Sequence, residues 1–116
     1  MKESPYLEGQ GKIKNLPVFK PYSEEKLKGL LRLSKIRQYE PQELIIKEGA
    51  EENWMYFMIS GCVQIEKGDK IISALFRCGD IFGEMGFLDE EPRSASVRAL
   101  KDTVCLAVDI SHLLNV

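Results

Sequence analysis

The chain predicts a mainly β domain, a sandwich or jelly roll with a helix at each end. Short apolar or alternating segments recur at spacings of about 8–12 residues. Turn signals separate them: Glu40-Pro41-Gln42-Glu43, Lys67-Gly68-Asp69-Lys70, Cys78-Gly79-Asp80 and Lys101-Asp102. Helical signals occur only before the first of these segments and after the last.

Residues 1–15 are polar, carry Gly9 and Gly11, and read as a flexible leader. The domain proper is expected over 16–116. A helix is predicted from Ser23 to about Ser34, because Leu27, Leu30, Leu31 and Leu33 fall near one face. Ser23 can cap it, with Glu24 and Glu25 in the first turn. The period then changes. Ile36–Tyr39 and Leu44–Lys47 read as short strands about the Glu40–Glu43 turn. Trp54–Ile59 is aromatic-rich and largely apolar, as a strand buried on both faces would be. Cys62–Glu66 alternates, with Val63 and Ile65 inward, and a hairpin leads into Ile71–Phe76. A turn then leads into Ile81-Phe82. Ser94–Ala99 and Val104–Asp109 are the last two strands, and Ser111 caps a helix beginning Ser111-His112-Leu113-Leu114.

With 116 residues, one domain is expected. Hydrophobic content is 44% and charged content 29%, which suits a soluble globular protein. No apolar run approaches the ~18 residues of a transmembrane helix, and the start lacks an apolar signal segment. A cytoplasmic location is the default expectation. Net charge is -2, and the only basic bias is Lys12, Lys14 and Lys20 near the start, so direct nucleic-acid binding is not expected. The three cysteines, Cys62, Cys78 and Cys105, show no CxxC spacing, and the single histidine, His112, lies far from them. Neither a disulfide framework nor a metal site is expected. Cys62 and Cys105 fall in predicted strands, where a free thiol acts as a small hydrophobe.

One stretch carries chemistry: Phe82-Gly83-Glu84-Met85-Gly86-Phe87-Leu88, followed by Pro92-Arg93-Ser94-Ala95-Ser96-Val97. A glycine lets a ligand approach the backbone and frees N–H groups to point at an anion. Arginine offers a planar fork of donors matched to phosphate. Ser94 adds a hydroxyl, while ionised Glu84 only accepts hydrogen bonds. A sugar hydroxyl next to a phosphate would satisfy all of them. Asp89, Glu90 and Glu91 between them read as a solvated loop, and no nucleophile–base pair stands out, so an enzyme is not expected.

The pattern resembles the phosphate-binding cassette of the cyclic nucleotide-binding domain family, the type found in the catabolite activator protein and the regulatory subunit of protein kinase A. Glu48-Gly49 and then Trp54-Met55-Tyr56-Phe57-Met58-Ile59-Ser60-Gly61 are similar to the family's glycine-turn hairpin ending in Ser-Gly. The resemblance runs from about Leu16 to the C-terminus. It implies a jelly-roll β-roll (a double-stranded β-helix) with flanking helices. It also implies a regulatory domain that binds a 3′,5′-cyclic nucleotide and passes the signal to a partner domain or subunit. Arg93 would pair with the cyclic phosphate, Glu84 would accept the ribose 2′-hydroxyl, and Phe82, Gly83, Met85, Gly86, Ser94 and Ala95 would complete the cassette. Ser94, where some cGMP-preferring relatives carry threonine, favours cAMP over cGMP. Ile65 and Phe76 fall where the family lines the base pocket, although core packing is the favoured role for both. Phe87 takes the place of an apolar residue that contacts the family's moving C-terminal helix, and plain core suits it as well.

Gly86 departs from the family's alanine and should loosen a short helical turn. The long hinge helix that lids the base is largely absent by Val116, which implies weakened affinity and base discrimination. Two alternatives stay open at this level: the same fold sensing another small effector, or a non-binding interaction module. A homodimer is also left open.

Overall fold

A computed structural model describes residues 1–5, 20–32, 34–52, 54–75, 80–83 and 95–109. Its elements in chain order are β1 (Lys2–Pro5), α1 (Glu24–Arg32), β2 (Lys35–Tyr39), β3 (Leu44–Ile46), β4 (Trp54–Ser60), β5 (Val63–Lys67), β6 (Lys70–Leu75), β7 (Ile81–Phe82), β8 (Ser96–Ala99) and β9 (Thr103–Asp109). They build two antiparallel sheets, β1-β2-β9-β4-β7 and β3-β8-β5-β6. This is the predicted mainly β, jelly-roll class. The C-terminal helix expected from Ser111 lies outside the described residues.

The helix forms where its caps and leucines predict it. The Lys26 N–H donates to Ser23 Oγ at 3.2 Å, and Glu24 and Glu25 occupy the first turn. Leu27 and Leu31, four residues apart, lie on the face packed against the sheet, with Leu31 only 1% exposed.

Period-2 alternation then sorts side chains into two apolar compartments. Between the sheets lie Tyr39, Ile45, Ile46, Tyr56, Met58, Val63, Phe82, Val97, Ala99, Cys105 and Ala107. Under α1, on the outer face of the five-stranded sheet, lie Leu31, Ile36, Phe57, Leu106 and Val108. Strands β4 and β9 supply both compartments, which is why they read as nearly continuous apolar runs. Val63 is fully buried and Ile65 packs against the inner core, as the alternation of β5 predicts.

The structure departs from the sequence reading in the leader and at Cys62. Residues 2–5, read as part of a flexible leader, form strand β1, with Lys2 opposite Gln38 and Pro5 opposite Lys35. A free edge of β2 offers unpaired N–H and C=O groups, and a short polar segment can cap such an edge without any apolar pattern. Proline is compatible with an edge strand. Residues 6–15 of the expected leader lie outside the described residues. Cys62 stands just before β5 rather than in it and is partly buried. Ile71 and Ile72, on the edge strand β6, are 67% and 57% exposed.

Two glycines predict opposite outcomes. Gly61 has φ +105, and a Cβ there would collide with Thr103 Oγ1, lying 2.6 Å from Thr103 Cα and 2.7 Å from the Asp102 carbonyl oxygen. Gly61→Ala should therefore cost about 2–5 kcal/mol and lower Tm by roughly 10 °C or more. Gly29, inside α1 with nothing within 4 Å of a built Cβ, should gain about 0.5–1 kcal/mol as Gly29→Ala. Thermal melts followed by circular dichroism check both.

Candidate functional site

The site grows from β7. Phe82 pairs with Tyr56 and Ile81 with Phe57, and the Met58 N–H donates to the Asp80 carbonyl at 2.7 Å. The rings of Tyr56 and Phe82 stack at 5.1 Å and 10°. Gly83 follows with φ +87, and a Cβ there would fall 3.1 Å from the Trp54 carbonyl oxygen, 3.2 Å from Ile46 Cδ1 and 3.3 Å from Tyr56 Cδ2. Both the dihedral and the crowding demand glycine. The peptide leaving this turn leads straight to Glu84.

The other end of the cassette re-enters at Ala95, partly buried just before β8. Ser96 Oγ accepts from the Glu48 N–H at 2.8 Å, and Glu48 Oε1 accepts from the Gly68 N–H at 3.0 Å. The Glu48-Gly49 turn is thereby tied both to β8 and to the β5–β6 hairpin. Val97 pairs with Ile46 on one side and with Ile65 on the other. Ile46 thus touches the position of Gly83 and sits beside β8, so both ends of the cassette spring from one end of the roll, one from each sheet. Of the sequence-predicted site residues, Phe82, Gly83, Ala95 and Ile65 are brought to this end. Glu84, Met85, Gly86, Arg93, Ser94 and Phe76 lie outside the described residues.

One charged group in this neighbourhood escaped the sequence reading. Arg37 lies opposite Glu3 and Cys105 in the sheet and so shares the inward face of Tyr39. Its Nε donates to Glu3 Oε2 at 2.7 Å, its Nη1 donates to Tyr56 Oη at 3.0 Å, and its guanidinium lies 4.5 Å over the Trp54 ring. Tyr56 Oη lies 3.5 Å from Glu52 Oε1 and can donate to it. The sequence signal was faint: an arginine two residues before a buried tyrosine in an alternating strand.

Among the described residues, no group of His, Cys, Asp and Glu could hold a metal ion, and no helix is long and apolar enough to cross a membrane. A sequence profile of the cyclic nucleotide-binding domain matches residues 36–116. The chain belongs to that family. The cyclic nucleotide-binding domain is 37% identical over 73 residues to a cGMP-dependent protein kinase of Toxoplasma gondii, covering 63% of this chain and 7% of the kinase. It is 34% identical over 95 residues to a cAMP-dependent protein kinase regulatory subunit of Debaryomyces hansenii, covering 82% of this chain and 21% of that subunit. The crystal structure of the Thermus thermophilus catabolite activator protein superposes with a TM-score of 0.73 at 30% identity, covering 85% of this chain and 48% of that one. The domain therefore spans a minor part of these longer relatives.

The ionisable groups walled into the roll are held neutral or paired. Burial pushes the Cys105 thiol up to about 12, against which Arg37 pulls weakly. Burial likewise pushes the Tyr39 phenol up to about 12, again with Arg37 pulling down. Tyr56 is raised by burial first, then by Tyr39 and Glu52. For Arg37, burial is the largest influence and lowers the pKa, but the Glu3 carboxylate together with Tyr56 and Tyr39 outweighs it, so the pKa is raised and the guanidinium stays charged. A folded-state pKa above the ordinary 9.0 of a thiol or 10.0 of a phenol means that the unfolded chain releases its proton first. Stability is then complete at neutral pH and falls as pH rises past those ordinary values. Tm should hold steady to about pH 8.5 and fall from about pH 9 upward. Phenolate absorbance should show a late phase, coincident with unfolding, that disappears in Tyr39→Phe and Tyr56→Phe.

Proposed function

We propose that this domain is a regulatory sensor that binds a 3′,5′-cyclic nucleotide, cAMP in preference to cGMP, and is not itself an enzyme. One observation carries the reading: the left-handed Gly83 turn, whose missing Cβ leaves room for the Trp54 carbonyl and Ile46, immediately before Glu84 in a chain that re-enters the same end of the roll at Ala95, the residue that follows Arg93-Ser94 in the sequence. The turn is held by packing before any ligand arrives, so little ordering entropy remains to be lost on binding.

In this reading Arg93 pairs with the cyclic phosphate through a bidentate fork. Ionised Glu84 accepts from the ribose 2′-hydroxyl, which selects ribose over deoxyribose. The backbone at Gly83 and Ala95, with Phe82, Met85 and Gly86, shapes the cradle, and Ile65 with Phe76 lines the base. The Ser94 hydroxyl serves the phosphate, which leaves guanine without the partner a threonine would offer and favours adenine. No metal is required, because the anion is met by the guanidinium and backbone amides. The buried Cys105 thiol, kept protonated, is unsuited to act as a nucleophile. The ligand shifts the domain between states only by its differential affinity for them, and the output belongs to an effector domain or subunit in the cytoplasm. Both a cGMP-dependent and a cAMP-dependent relative lie at similar identity, so Ser94 alone supports the base preference.

Isothermal titration calorimetry with cAMP, cGMP and acyclic 5′-AMP, on the wild type and on Arg93→Ala, tests the proposal. Saturable binding of the cyclic nucleotides, tightest for cAMP and weakened about 30-fold or more in Arg93→Ala, is expected. Tighter binding of cGMP would reverse the base preference and leave the site intact. No heat at millimolar nucleotide, or an Arg93→Ala variant that binds like the wild type, would overturn the reading.

A further inference from the structure

We propose that Arg37 is a positioning residue for the ligand site, held in its working pose by Glu3 of β1, so that docking of β1 and ligand binding strengthen each other. The inference rests on the cyclic nucleotide reading above and adds a control element to it.

The linkage is a chain of contacts. Glu3 sits directly opposite Arg37 in the β1–β2 register, with Nε on Oε2 at 2.7 Å. The guanidinium covers the Trp54 ring at 4.5 Å and donates to Tyr56 Oη at 3.0 Å. Tyr56 stacks on Phe82, and the Gly83 turn seats against the Trp54 carbonyl and the Tyr56 ring. One cation therefore braces the Tyr56 side chain, which lies under the turn, and the ring of Trp54, whose carbonyl lies beside it. Its side chain is only 14% exposed, whereas that of Glu3 is 38% exposed, so the arginine depends on the pair more than the glutamate does.

Removing the carboxylate leaves a partly buried charge without that partner. A flexible guanidinium in this position gains by turning toward water, which withdraws it from Trp54 and Tyr56. The floor under Gly83 then loosens, and the ligand must order it again at the expense of affinity. Strand β1 is the element suited to modulate this. It has four residues, Lys2-Glu3-Ser4-Pro5, at a sheet edge, and its described side chains, Lys2, Glu3 and Ser4, are exposed and enter neither apolar compartment. Such edges belong to the least stable parts of a fold. Because linkage is reciprocal, a ligand that tightens the Gly83 turn must also tighten β1.

The test uses the full chain, with Glu3→Gln, Arg37→Met and the double variant titrated with cAMP by calorimetry. Trp54, the single tryptophan, reports the pose of Arg37 by fluorescence, and hydrogen exchange reports the β1–β2 amides. Each single variant should weaken cAMP binding by about 5-fold or more, and the double variant should bind no more weakly than Arg37→Met. Nucleotide should slow exchange at β1–β2 in the wild type and not in Glu3→Gln, and Trp54 emission should shift in both single variants. A wild type that binds cAMP while Glu3→Gln binds it equally well would overturn the coupling and leave the sensor reading standing. A wild type that binds no nucleotide would overturn the sensor reading, and the coupling with it. Should Arg37→Met fail to fold, Glu3→Gln, which removes a charge and almost no volume, decides the matter alone.

Discussion

The antiparallel pairing of β4 with β9 is the constraint on which the rest of the molecule depends. These strands run side by side from Trp54–Asp109 to Ser60–Val104, and each serves both apolar compartments. Tyr56, Met58, Cys105 and Ala107 face the inner core, while Phe57, Leu106 and Val108 face the helix side. A slip of one residue would exchange the two sets and drive Tyr56 beneath the helix. Each fully buried large apolar side chain contributes about 1.5–3 kcal/mol, so such a slip is opposed by the whole core. The other strands of the sheet take their place from this pair, β2 against β9 and β7 against β4.

The placement of the site follows. Because Tyr56 must face inward, Phe82 stacks on it from β7, and the chain leaves β7 at a point already crowded by Trp54 and Ile46. A left-handed glycine is the residue that can turn there. Sheet closure brings β8 to Ile46 from the opposite side. Phe82 and Gly83 on one sheet and the start of β8 on the other are thus held by packing that has nothing to do with ligand. This is a general way to place a loop accurately: the functional residues vary on a scaffold whose core fixes the loop ends.

Much of this was legible in the sequence, for definite reasons. Strands β2 to β5 and β7 to β9 announce themselves because one or both faces are buried, and burial leaves a period in the chain. Helix α1 announces itself by Ser23, its acidic first turn and the spacing of Leu27 and Leu31. Gly83 is legible as part of a motif. Strand β1 was not, because it contributes a backbone edge and one carboxylate, neither of which leaves a hydrophobic period. The exposure of Ile71 and Ile72 was equally hidden, since an apolar pair reads the same on an open edge strand as in a core. Arg37 was missed because an alternation rule classes an inward arginine as an error, whereas the structure pairs it with Glu3, Tyr56 and the face of Trp54.

Electrostatics makes the part played by Arg37 intelligible. A guanidinium already paired with Glu3 at 2.7 Å has little net charge to offer a phosphate, since the nearby carboxylate cancels most of its field. To engage an anion, Arg37 would have to release Glu3 and leave Trp54, giving up contacts that offset its burial. It therefore serves better as a brace than as a receptor. The anion is better met by a separate arginine, and in the proposed function that part belongs to Arg93, ten residues after Gly83 in the sequence. Under that proposal the structural cation and the recognising one are separate residues, so meeting the ligand's charge does not cost Arg37 its contacts with Glu3, Tyr56 and Trp54.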